Sequence, residues 1–263
     1  MKLFRITNII ITCLLCLFIL TAVCTVLVRG VPELYRALKT PEIIFALKLS
    51  LFTSTISTFL CLIVALPVAY TLSRYNIPGQ GMLGAVLRIP LNLPPIVSGV
   101  CLLLLFGTTH FGKTMEKIGL DLVFTVQGIV VAQFFVNSPG LVTVLKGALE
   151  SVDARLEYVA RTLGCSPWQA FCRVTIPLIR NSVIAGLVLA WGKALGEFGA
   201  VLMLAGAIRF KTETLPISIF LNMSTGDLDL LMASASILVL VSILSLLFFE
   251  KAGNKLFWRV YGP

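Results

Sequence analysis

The segment GTTHFGKT, from Gly107 to Thr114, fits the pattern G-x-x-x-x-G-K-[ST] letter for letter. In a phosphate-binding loop that spacing turns backbone amides onto the phosphates, puts Lys113 on the terminal phosphate and Thr114 on magnesium, and needs a strand before it and a helix after it. Three other groupings have types that can do chemistry. Lys193 and Glu197 stand four residues apart, the spacing of one helix face. Cys13-x-x-Cys16 has the spacing of half a metal site or a redox pair, and His110 is the only histidine. No second cysteine pair and no neighbouring histidine completes a ligand set, so a buried structural role is expected for these cysteines and no metal for the chain.

The elements available to position these residues are set by composition. Of the 263 residues, 58% are hydrophobic and 13% charged, and the mean hydropathy is +0.99, far more apolar than a globular domain of roughly half apolar and a quarter charged residues. A helix crosses a hydrocarbon core of about 30 Å with about 20 apolar residues. Six such windows occur, at 9–28, 45–72, 89–106, 122–145, 182–205 and 230–249. The chain is therefore expected to be an all-α integral membrane protein with six transmembrane helices in a single domain, 1–263. The first window is long and no small-residue cleavage motif follows it before Arg29, so it is expected to be a retained helix rather than a removed signal. No internal repeat or low-complexity linker divides the chain.

The windows are not uniform. The third contains Pro94-Pro95, which removes two amide donors and breaks the helix, so that Ile96, Val97, Ser98 and Gly99 begin a new one with a positive dipole end. Such ends can face anionic cargo, or the prolines simply kink the span. The fourth is expected to be interrupted late, at Asn137-Ser138-Pro139. In the fifth, Lys193 and Glu197 lie at a depth where ionisable groups are costly and face the protein interior or a water path. They read as a neutralised pair locking helices, or as a gate on an anion path.

Lysine and arginine positions orient the chain. With the N-terminus inside, inner segments hold Lys2, Arg5, Arg74, Arg88, Lys146, Arg155, Arg161, Arg173, Arg180, Lys251, Lys255 and Arg259. Outer segments hold Arg29, Arg36, Lys39, Lys113, Lys117, Arg209 and Lys211, which the acids Glu33, Glu42, Glu116, Asp121, Glu213, Asp227 and Asp229 balance. Both termini are expected in the cytoplasm. The formal charge of +9 is then an inner-face feature that suits anionic lipid, not nucleic acid. Gly107 to Thr114 falls on the outer face, away from cytoplasmic ATP, and reads as an outer turn that matches the nucleotide pattern by accident.

The longest inner segment, 148–181, is too polar to cross a bilayer. Asp153 can cap a helix carrying Leu156, Val159, Ala160 and Leu163 at helical spacing, and Gly164 can end it with positive φ. Ser166-Pro167 starts another, with Trp168, Phe171, Cys172 and Ile176 on one face. This segment resembles the EAA loop of ATP-binding cassette importer permeases, whose pattern is E-A-A, three residues, Gly, nine residues, then I-x-L-P. Tyr158-Val159-Ala160 precede Gly164 at the right spacing, and Val174-Thr175-Ile176-Pro177 close it; Tyr158 replaces the pattern's Glu, with Glu157 one place earlier. LPPIVSGVCLLLLFG, SVDARLEYVARTLGCSPW, ALGEFGAVLMLAG and KTETLPISIF are similar to the molybdate and tungstate branch, with sulfate and thiosulfate permeases next.

The resemblance implies a type I importer permease fold with a cytoplasmic coupling loop between the fourth and fifth helices. It implies a second copy of the chain, two ATP-binding cassette ATPase subunits below, which use ATP and Mg, and an extracytoplasmic oxyanion-binding protein above. The chain itself would be no enzyme and would bind no cofactor. Glu157, Ala160, Arg161, Thr162, Leu163 and Gly164 are the expected ATPase-docking residues; Ser98, Lys193 and Glu197 are the candidates for the path or gate. Two other classes stay open on the residues alone. An ion-coupled secondary transporter is expected to be longer or to show inverted repeats. A membrane ATPase needs a soluble α/β domain with a magnesium-binding Asp.

Overall fold

A computed structural model describes residues 2–252, all of whose regular structure is helical. Long apolar segments satisfy their backbone groups internally as helices, the form a membrane requires of a chain without a closed barrel. Helix α1 (Lys2–Gly30) is followed by the short α2 (Leu34–Ala37) and the long α3 (Pro41–Arg74). Next come α4 (Gln80–Asn92), α5 (Pro95–Thr108), α6 (His110–Lys117) and α7 (Val126–Glu150). The short α8 (Arg155–Thr162) and α9 (Pro167–Ala170) lead through a π-helical turn, Phe171–Thr175, into α10 (Ile176–Leu195). Helices α11 (Gly199–Ala205), α12 (Leu215–Thr225) and α13 (Leu228–Ala252) complete the fold. Lys255 and Arg259, expected on the inner face, lie outside the described residues.

Five helices are long and apolar enough to cross a membrane, and the bent pair α4 and α5 supplies a sixth. The third expected window, 89–106, is thus two helices meeting at 111°. The break falls at Pro94, and α5 restarts at Pro95 with Ser98 N donating to Pro94 O at 3.1 Å. The expected interruption at Asn137-Ser138-Pro139 does not occur: α7 runs through Pro139 without a break. Packing explains why. Helix α7 is the most enclosed of the spans, held by α3 on one side and α10 and α11 on others, and such enclosure tolerates an internal proline.

The expected fifth span, 182–205, is also divided. Helix α10 begins earlier, within the segment read as loop, and ends at Leu195; α11 restarts at Gly199. Gln133 of α7 closes the gap by donating Nε2 to Ala194 O at 2.9 Å, satisfying a carbonyl in the last turn of α10.

The core follows α7. Toward its start, Ile129, Ala132 and Val136 pack against Leu49, Leu102, Val201 and Leu204; toward its end, Leu141, Leu145 and Leu149 pack against Cys61, Ala65, Ala69 and Ile179. Small residues sit where helices approach closely, as in other membrane bundles. A Cβ on Gly99 of α5 would lie 2.8 Å from the Cα of Ala200 in α11. By contrast, no residue in the most apolar stretch of α1 is buried within the chain, although its later part lies against α13, with Ser236 Oγ donating to Val26 O at 3.1 Å.

Candidate coupling helix and path residues

Helix α8 is short because its ends are specified. Asp153 Oδ1 accepts from Arg155 N at 2.9 Å just before the helix, and Gly164 leaves it at φ +93°. Ser166 then builds a full capping box with Gln169, its hydroxyl accepting from Gln169 N while Gln169 Oε1 accepts from Ser166 N. The two short helices expected from the sequence are formed; Ser166 caps the second as expected, whereas the N-cap of α8 is Ala154, which makes no side-chain cap bond, and Asp153 stands one residue before it.

The faces of α8 differ from the expectation. Only Glu157 and Ala160 of this helix are buried. Arg161 and Thr162 are exposed, as are the apolar Leu156, Tyr158 and Val159, and Leu163 is 81% exposed and Trp168 of α9 70%. Tyr158, Arg161, Thr162, Cys165 and Pro167 line a shallow depression between α8 and α9. An exposed apolar patch bordered by a cation is the composition of a protein-docking surface.

Glu157 points the opposite way. Its Oε1 accepts from Arg74 Nε at 2.9 Å and from Thr175 Oγ1 at 2.8 Å, and its Oε2 accepts from Tyr70 Oη at 2.7 Å. Arg74 also donates Nη2 to Val152 O at 3.0 Å. Burial disfavours the charged carboxylate, but hydrogen bonds from Tyr70, Arg74 and Thr175 and the guanidinium charge prevail, holding the Glu157 carboxyl below its ordinary value. Sequence reasoning placed Glu157 with the outward contacts; the structure turns it into the chain, because two partners come from the end of α3.

The path candidates are separated. Helix α10 unwinds at Gly196, so Lys193 and Glu197 do not share a helix face, and no ion pair joins them among the described residues. The Glu197 carboxylate instead accepts from Ala200 N at 3.0 Å, capping the start of α11, while Lys193 is exposed near the end of α10. Ser98 is fully buried beside the α5–α11 contact, and its hydroxyl has no hydrogen-bond partner among the described residues. The free face of α5 is made by Ile96, Val97 and Val100.

GTTHFGKT is helix, bend and helix rather than the expected turn. Gly107 and Thr108 end α5, and Thr109 Oγ1 caps α6 by accepting from Gly112 N at 3.3 Å. Its backbone is folded within helices, with Gly112 against the carbonyl of Phe106, so it forms no phosphate-cradling loop.

Sequence reasoning missed two polar features. Glu213, fully buried, holds Arg209 Nη1 at 3.4 Å and accepts from Phe210 N at 3.3 Å; the four-residue spacing was visible, but both residues read as outer-surface charge. A stripe of Ser50, Thr53, Ser54, Ser57 and Thr58 along α3 is buried, opposite Gln133 of α7, whose Nε2 lies 3.4 Å from Thr53 Oγ1. Its helical spacing in the sequence was the available signal.

Comparison with known proteins places this arrangement. Residues 11–256 match the family described as binding-protein-dependent transport system inner membrane component. The sulfate transport system permease protein CysT of Escherichia coli (strain K12) is 31% identical over 258 residues, spanning 97% of this chain and 93% of that protein. The molybdenum transport system permease protein ModB of Mycobacterium bovis is 39% identical over 217 residues, 82% of each. Among solved structures, a chain of the bacterial alginate ABC transporter, crystallised with an alginate-bound periplasmic protein, superposes with a TM-score of 0.76. It covers 95% of this chain and 92% of that one at 15% identity.

Proposed function

The chain belongs to the family of binding-protein-dependent transport system inner membrane components, a multi-pass membrane permease of an ABC importer, and on that premise we propose that its cargo is a molybdate- or tungstate-type oxyanion. The similarity to a molybdenum permease at 39% identity supports this cargo. The similarity to a sulfate permease along nearly the whole chain favours sulfate as the second reading.

In this reading two copies form the path, two ATPase subunits sit beneath them, and both termini face the cytoplasm. The observation that carries it is α8, whose Tyr158, Arg161, Thr162 and Leu163 are exposed between α7 and α10. This face docks on the ATPase, with Ala160 and Gly164 shaping the helix and its end. Closing of the ATPase subunits on ATP moves α8, and α7 and α10 follow because the chain joins them to it. The path opens by rigid-body rearrangement driven from a site on another chain. The free face of α5 borders the path near the restart at Pro95, with Ser98 in the first turn behind it. Lys193 offers a positive charge to the anion, and Glu197 holds the start of α11 beside Pro95 and Ile96, toward which a Cβ on Gly199 would point. The exposed apolar face of α1 meets lipid or the second copy.

Cargo is tested in cells deleted for this chain, with radiolabelled molybdate, tungstate and sulfate. Restoring the chain should restore molybdate and tungstate uptake, each competing with the other, with excess sulfate leaving both unchanged. Restored sulfate uptake blocked by thiosulfate would transfer the chain to the second reading.

A further inference from the structure

Glu157 is the point at which the docking helix is fastened to the rest of the chain. Of α8, only Glu157 and Ala160 are buried, so little apolar packing holds the helix down. Three donors from two other elements converge on the one carboxylate: Tyr70 and Arg74 from the end of α3, and Thr175 from the turn leading into α10. The ion pair is shielded, its side chains 9% and 10% exposed. The Tyr70 ring packs edge-on against Phe171 with centroids 4.9 Å apart, and Phe171 in turn meets Trp168 at 5.7 Å. The opposite face of α8 is free.

Covalent connection carries motion of α8 into α7 and α10; α3 packs along α7 but has no such connection to α8, 83 residues separating Glu157 from Arg74. We infer that Glu157 is the positioning residue that ties α8 to α3, so that one displacement of the docking helix moves α3 together with α7 and α10. Charge-assisted hydrogen bonds on a shielded carboxylate are directional and stiff enough to act as such a tie. This inference rests on the docking role proposed for α8. It assigns Glu157 to the inside of the coupling mechanism and leaves the ATPase contact to Arg161 and its exposed neighbours.

The test uses the complete complex of this chain, its ATPase and its binding protein in liposomes, with three readings: ATPase co-purified, ATP turned over, and labelled oxyanion taken up per ATP. Glu157→Gln keeps the shape and removes the charge. It should retain the ATPase within about twofold while uptake per ATP falls roughly tenfold, the effect of weakening a charged hydrogen-bond set. Loss of the ATPase from Glu157→Gln would make Glu157 a docking contact, and uptake per ATP within about twofold of the parent would show that no tie is needed; each overturns the inference. Arg161→Glu, run in parallel, isolates the docking reading: if it keeps ATPase and uptake, that reading fails whatever Glu157→Gln does. Should Glu157→Gln not accumulate in the membrane, Tyr70→Phe removes one donor and leaves the ion pair. A drop of about threefold in uptake per ATP supports the tie, and unchanged coupling overturns it.

Discussion

Arg161→Glu should abolish ATP-driven uptake while the chain still inserts and accumulates in the membrane. Arg161 lies in the last turn of α8, exposed, with no hydrogen bond to another side chain among the described residues, so its replacement removes no internal contact. Around it the surface is apolar, with Tyr158, Val159 and Leu163 all more than half exposed. A charge set among apolar contacts is desolvated when a partner covers it, and placing the like charge there costs several kcal/mol. Each 1.4 kcal/mol is about tenfold in affinity, so a loss of roughly a hundredfold or more is expected. The checks are co-purification of the ATPase and uptake by whole cells. Arg161→Lys should keep part of both, since it retains the charge and loses the planar fork. Normal transport by Arg161→Glu would remove α8 as the docking element.

The second large effect is expected at Gly99→Val, through folding rather than docking. A Cβ at Gly99 would lie 2.7 Å from Met203 Cβ and 2.8 Å from both Ala200 Cα and Ala200 O. The Ala200 atoms are backbone and cannot turn aside, so α5 and α11 must separate. Overpacking a close-packed interior costs about 1–3 kcal/mol, and more where backbone has to move. The separation would also disturb the amide of Ala200, which Glu197 caps. The expected result is a sharp fall in folded yield and melting temperature of the detergent-purified chain. Gly84→Val in α4, where no atom lies within 4 Å of the added Cβ, should cost about 1 kcal/mol or less and serves as the control. Equal behaviour of the two variants would contradict the tight α5–α11 contact.

What the sequence disclosed and what it did not divide along physical lines. Local rules were readable: about 20 apolar residues make a span, Pro94-Pro95 ends a helix, Gly164 terminates α8 with positive φ, and Ser166 with Gln169 caps α9. Each depends on residues close in the chain. Failures came where neighbours decide. Asn137-Ser138-Pro139 read as an interruption because Pro139 removes an amide, yet α7 is enclosed and stays helical. Gly196-Glu197-Phe198 read as helix because nothing in it forbids helix, yet the chain unwinds there, with Gln133 of α7 on one side and Glu197 capping the other.

The loop that carries α8 shows the same division within one helix. The end of α8 at Gly164 followed from spacing, although its N-cap is Ala154 rather than the expected Asp153. The direction of Glu157 did not, since its partners Tyr70 and Arg74 lie in another span and only the folded chain brings them together. The nucleotide pattern at Gly107 to Thr114 is the converse: the letters matched, but the chemistry needs a strand, a loop and a helix, and this chain builds two helices there.

In the proposed function this chain moves its cargo in response to ATP hydrolysed by another chain. This dependence is tested most directly by purifying the chain, incorporating it into liposomes alone and together with its ATPase and binding protein, and measuring ATP turnover and labelled molybdate uptake in both. Neither activity is expected from the chain alone, and uptake should require ATP, the ATPase and the binding protein together. ATP turnover by the chain alone, or molybdate uptake driven by an ion gradient without the ATPase, would contradict that dependence.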